Sequence, residues 1–87
     1  MVNGLKSQAS MLIYPNPAVN SDVTVSFSTE ESRNLQLTDM SGHVINNWRD
    51  YKNLQLKINQ QLPGMYILHV MNGSGETMGL QKIVFSR

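Results

Sequence analysis

The chain has 87 residues, 40% hydrophobic and 15% charged, with 7 Lys+Arg against 6 Asp+Glu, a formal net charge of +1 and no cysteine. That makes one small domain at most, since typical domains run to about 100–150 residues. The apolar content argues against disorder, the balance of charge against an electrostatic nucleic-acid binder, and the lack of cysteine against disulfides, thiol catalysis and cysteine-held zinc.

Residues 1–9 show no periodicity and read as a linker or an appended remnant, leaving residues 10–87 as the domain. Met1 to Ser10 has one lysine and no apolar core of a signal peptide, so an export signal is expected outside this sequence. The longest apolar runs, Met11–Tyr14 and Met65–Leu68, fall far short of the roughly 18 residues that cross a bilayer as a helix.

From Ser10 onward, turn signals recur at intervals of about 8–13 residues, the spacing of an all-β sandwich. Period-2 alternation predicts seven strands. Strand 1 is Ser10 to Tyr14, stopped by Pro15. Strand 2 is Asp22 to Ser28, with Val23, Val25 and Phe27 on one face. Strand 3 is Asn34 to Asp39, with Leu35 and Leu37 inward. Strand 4 is His43 to Arg49, with Val44 and Trp48 on a shared core face. Strand 5 is Leu54 to Ile58, with Leu54, Leu56 and Ile58 inward. Strand 6 is Met65 to Met71, apolar on both faces except His69. Strand 7 is Thr77 to Ser86, expected at a sheet edge with a free hydrogen-bond ladder.

The connections have physical reasons. Asp39-Met40-Ser41-Gly42 places a carboxylate where it accepts backbone N–H groups and a glycine where positive φ is needed. Asn72-Gly73-Ser74-Gly75 is the strongest hairpin signal. Leu62-Pro63-Gly64 turns the chain before strand 6. In Tyr14-Pro15-Asn16-Pro17 both prolines lack an N–H and hold their predecessors extended, which predicts a stiff crossover between two sheets.

Constellations for chemistry fail simple tests. Asp39, Ser41 and His43 lie within five residues of one hairpin and fit a turn better than a catalytic triad. Glu30 and Glu31 are adjacent on a solvated loop. Met65, His69 and Met71 share a face, a copper(I)-like set that more often fills space. Asn72-Gly73-Ser74 matches a glycosylation sequon, and the hairpin accounts for it. Of three aromatics considered as a sugar platform, Trp48 and Tyr66 read as core and Tyr51 as exposed. Neither an enzyme, a cofactor, a metal nor a small-molecule substrate is expected.

The order of motifs carries a resemblance. It runs Tyr14-Pro15-Asn16-Pro17-Ala18, an alternating-valine strand, Leu35-x-Leu37-x-Asp39-x-x-Gly42-x-Val44, Leu62-Pro63-Gly64-x-Tyr66-x-Leu68-x-Val70, then Lys82-Ile83-Val84 near the last residue. Over residues 11–87 this resembles the type A C-terminal sorting domain of the type IX secretion system in Bacteroidetes. Two departures are minor: Pro63 and Gly64 are adjacent where relatives often carry an extra residue, and Asn46-Asn47-Trp48 is unusually polar.

The resemblance implies an immunoglobulin-like antiparallel sandwich of about seven strands. It also implies a non-enzymatic address label on a cargo that precedes it. An outer-membrane translocon or shuttle receptor would read the label in the periplasm, and a sortase-like cysteine protease would cut within residues 1–10 and leave the cargo on the surface or released. The sorting-motif residues are then Pro15, Asn16, Pro17, Asp39, Gly42, Gly64, Tyr66 and Lys82, with Lys82 and Arg87 presenting the terminal strand. The alternative is an accessory β-sandwich for adhesion or carbohydrate binding; a spacer without a partner is a further rival.

Overall fold

The computed structural model describes residues 11–87. The reading of residues 1–9 as a linker, and Ser10 as the start of strand 1, lie outside the described residues. Among the described residues, eight strands run in the order β1 (Met11–Tyr14), β2 (Ala18–Val19), β3 (Val23–Phe27), β4 (Arg33–Asp39), β5 (Val44–Tyr51), β6 (Gln55–Ile58), β7 (Gly64–Met71) and β8 (Thr77–Ser86). They form a three-stranded sheet, β1-β3-β6, facing a five-stranded sheet, β2-β8-β7-β4-β5. The fold is the expected immunoglobulin-like sandwich, with one strand more than the sequence pattern shows.

The core follows the alternation. Val23, Val25 and Phe27 from one sheet meet Leu35, Leu37, Leu68, Val70, Ile83 and Phe85 from the other, all buried. Each such side chain contributes roughly 1.5–3 kcal/mol through removal from water. Their neighbours Thr24, Ser26, Asn34 and Gln36 point outward.

Four expectations need correction. The missed strand, β2, has only two residues, too few to show a period, and it pairs parallel to β8, so the sandwich is not wholly antiparallel. Val44 does not share the core face with Trp48. A register shift between Leu37 and Thr38 places Val44 opposite Thr38 and Trp48 opposite Leu35, so Val44 is exposed while Trp48 packs against the core. A second shift, beside Asp50 with its positive φ of 52°, draws Tyr51 out of its expected exposed loop to the end of β5, opposite Arg33 and against the core. Leu54 precedes β6 and is exposed; its carbonyl accepts the Phe27 N–H at 2.8 Å, so its backbone, not its side chain, holds the position.

β8 is an edge strand over only part of its length. β2 covers its outer edge at Phe85 and Ser86, while no strand pairs with that edge at Thr77–Gln81 among the described residues.

Candidate functional site

The segment Pro15–Asn20 leaves the three-stranded sheet after Tyr14 and reaches the outer edge of β8. Both X–Pro bonds, Tyr14–Pro15 and Asn16–Pro17, are cis. Neither proline has an N–H to offer a ladder. The Asn16 side chain makes the contact instead: its Nδ2–H donates to the Lys82 carbonyl at 2.9 Å, and its Oδ1 accepts the Val84 N–H at 3.0 Å. One donor and one acceptor on a planar amide stand in for a peptide group of a neighbouring strand. The main chain then takes over, with Ala18 and Val19 beside Phe85 and Ser86, and the Asn20 N–H donating to the Ser86 carbonyl at 3.1 Å. The Pro-Asn-Pro segment is therefore a crossover between sheets, as expected, and also a clasp on the C-terminal strand.

The other motif residues gather at the same end of the five-stranded sheet. Gly64 lies opposite Phe85, Tyr66 opposite Ile83 and, on its other side, opposite Asp39. Gly64 has φ 153°, a backbone conformation that other residues rarely adopt, although a Cβ would find space there. The Tyr66 hydroxyl donates to the Leu62 carbonyl at 2.7 Å, four residues upstream, and its ring meets Phe85 edge-to-face at 5.4 Å. A tyrosine near the start of this strand bonding back to the preceding corner is the tyrosine corner of immunoglobulin-like sandwiches.

Asp39 closes the β4–β5 turn. Its Oδ1 accepts the N–H groups of Ser41 and His43, both at 2.9 Å, and its Oδ2 lies 3.2 Å from His43 Nδ1. The His43 backbone N–H holds the Asp39 carboxyl below its ordinary pKa, helped by the Ser41 N–H against partial desolvation. Gly42 donates to the Asp39 carbonyl at 3.1 Å with φ 91°. Asp39 spends both oxygens on the turn, and no hydrogen bond joins Ser41 Oγ to His43 among the described residues, so the three act as a turn.

Other candidates are likewise accounted for locally. Asn72 Oδ1 accepts the Ser74 and Glu76 N–H groups at 2.9 and 3.0 Å, which commits it to the hairpin. His69 Nε2 lies 2.7 Å from Thr77 Oγ1. Among the described residues there is no cluster of three or more His, Cys, Asp or Glu. A groove of about 600 Å³ beside the clasp is lined by Asn20, Gln60, Gln61, Leu62, Pro63 and Arg87, without an aromatic ring on which a sugar could stack.

The opposite end is held by a residue the alternation pattern leaves in a loop. Arg33 begins β4 and is 1% exposed. Its guanidinium lies 4.0 Å over the Phe27 ring centroid, and Nη2 donates to the Thr29 carbonyl at 2.8 Å and lies 3.3 Å from Glu31. Glu31 is therefore part of a tether and not a free loop carboxylate. Arg33 has inward parity with Leu35 and Leu37; that parity is the one sequence signal for its burial.

These features define a small immunoglobulin-like sandwich whose terminal strand is held by its own amino-terminal segment and whose polar residues are committed to turns and clasps. The chain belongs to the family of secretion-system C-terminal sorting domains, whose model matches residues 12–86. It is a sorting domain of type IX secretion: it directs a protein that carries it to the outer-membrane surface or the extracellular space, and it interacts with the secretion machinery. Among solved structures it is similar to PorZ, an essential bacterial surface component of the type-IX secretion system of Porphyromonas gingivalis, with a TM-score of 0.74 and 18% identity over 90% of this chain. The match covers 12% of the PorZ chain, so it shows the fold of one part of a much longer protein. No curated protein matches the sequence.

Proposed function

We propose that this domain, residues 10–87, is a non-enzymatic address label at the end of a larger cargo, with residues 1–9 as the joining linker. A shuttle receptor of the outer-membrane translocon reads it from the periplasm, and a sortase-like cysteine protease then cuts within residues 1–10. The observation that carries the reading is the convergence of the family's dispersed motifs. Asn16, Asp39, Gly64, Tyr66 and Lys82, spread over the sequence, meet at one end of one sheet around the clasped C-terminal strand. A terminal strand fixed in a folded sheet presents a receptor with a rigid surface, which lowers the ordering cost of docking. Lys82 and Arg87 are exposed on it. The carbohydrate-binding alternative loses its platform, because Tyr66 is buried and Trp48 and Tyr51 pack against the core.

The test is an export assay with the whole 87-residue chain fused behind a fluorescent reporter that carries a signal peptide. The reporter is expected outside type IX-competent cells and in the periplasm of a translocon-null sister strain, with the released reporter cut within residues 1–10. Periplasmic retention in both strains would overturn the reading.

A further inference from the structure

The two outer faces of the sandwich differ in chemistry. On the three-stranded sheet, β3 and β6 present the small and polar Thr24, Ser26, Gln55 and Lys57, with Lys57 Nζ 3.5 Å from an Asp22 carboxylate oxygen, and β1 adds the exposed Leu12 and Tyr14 beside Ser26 and Thr24. On the five-stranded sheet, β7 and β8 present three cross-strand pairs: Met65 with Val84, Ile67 with Lys82, and His69 with Leu80. Paired residues of an antiparallel ladder lie on one face, and the inward partners Tyr66, Leu68 and Ile83 are buried, so these six face outward together. Met65 is 46% and Leu80 62% exposed. Beyond them, β4 and β5 continue the face with Gln36 and Asn47, joined by a hydrogen bond at 3.2 Å. On this sheet the longest apolar row runs along the two strands that end at the clasp, and the exposed Val44 of β5 is separated from it by Thr38.

Charge says what this stripe fits. Lys82 stands in its middle, and none of the six residues is a carboxylate. A second copy laid on it about a two-fold axis would bring apolar surface together with lysine near lysine or imidazole, with no carboxylate to answer either. A partner surface that is apolar and carries carboxylates satisfies both features. We propose that the outer face of β7 and β8 is the docking surface of this domain for an apolar, acidic surface on a protein of the secretion machinery. The inference rests on the sorting reading above and adds the face, the strands and the partner's chemistry.

The test uses the same reporter fused to the whole chain, in the competent strain. Leu80→Glu and Lys82→Glu place a carboxylate on the stripe; Gln55→Glu and Lys57→Glu make the same charge changes on the other sheet. Like-charge contact at an interface costs several kcal/mol, so each stripe variant is expected to lower export about tenfold or more, with an unchanged melting temperature, while the two controls export normally. If Leu80→Glu melts early, Leu80→Ser removes the apolar contact without adding charge and is expected to lower export as well. Normal export of the folded stripe variants, or an equal loss in the controls, would overturn the proposal while leaving the sorting reading intact. Failure of the unaltered chain to export would instead overturn the reading itself. Sedimentation of the purified chain is expected to show a monomer; a dimer that Leu80→Glu dissolves would assign the stripe to a second copy and overturn the proposal.

Discussion

Strand β4 begins at Arg33 and finishes at Asp39, so its ends lie about 20 Å apart, at opposite ends of the sandwich. At the Asp39 end the chain is closed by hydrogen bonds that each take a main-chain group: Asn16 to Lys82 and Val84, Tyr66 to Leu62, Asp39 to Ser41 and His43. At the Arg33 end one charged side chain is sunk between Phe27 and the Thr29–Glu31 loop, with Tyr51 opposite it on β5. The first arrangement spreads the load over several partly exposed bonds, neutral except at the Asp39 carboxylate. The second concentrates it in one buried group, whose Nε and Nη1 have no partner among the described residues. The difference teaches that the end carrying the family's motifs is built for shape, and the other end for closure of the core.

The largest expected effect lies at the Arg33 end. Arg33→Ala removes the stacking on Phe27, the tether to Thr29 and the packing of the aliphatic stem, and is expected to cost about 3 kcal/mol in urea unfolding. Arg33→Met fills much of the same space without orphan donors, and more than half of that loss should return. If Arg33→Met proves as damaging as Arg33→Ala, the hydrogen bonds and charge hold this end, and packing does not.

A smaller effect is expected at the clasp. Asn16→Ala removes two neutral, exposed hydrogen bonds and is expected to cost about 1 kcal/mol, near the low end of what two such bonds contribute. The sharper readout is local. Amide exchange at Val84 should accelerate because its acceptor is gone, while exchange at Leu37 and Leu68 should be unchanged. Uniform acceleration across the sheet would mean that the clasp and the core open together, and the contrast between the ends would fail.

What could be read from the sequence follows the same division. Asp39, Gly42, Gly64 and the prolines announce themselves because turns demand particular residue types, and the Val23–Phe27 and Arg33–Asp39 stretches alternate cleanly because each has one buried face. In the sequence the clasp shows only as a stiff segment. A side-chain amide standing in for a strand spans 66 residues of sequence from Asn16 to Lys82 and leaves no periodic trace. Alternation assumes an unbroken register, and β5 breaks it twice, which puts Val44 on the outer face and brings Tyr51 out of its expected loop onto the end of the strand. The burial of Arg33 is hard to read from sequence because charged residues are seldom fully buried, and its partner ring lies on another strand.

The finest distinction between the ends is electrostatic, and pH resolves it. The folded state favours ionised Asp39, chiefly through the His43 backbone N–H, so its folded pKa lies below its unfolded one. The sign follows: this contribution to stability is complete above the ordinary aspartate range and is lost as pH falls through the lowered folded value. Asp39→Asn keeps an acceptor oxygen for the Ser41 and His43 N–H groups but carries no charge. The variant should therefore be slightly less stable than the unaltered chain at neutral pH, and the gap should close as both are titrated below the usual carboxylate range. Denaturant midpoints of the two proteins, compared at pH steps from neutral to acid, measure this directly. A gap that stayed constant into acid would mean that the turn depends on carboxylate geometry and not on its charge. The Asp39 end would then be held by shape alone, and charge would matter only where Arg33 is buried.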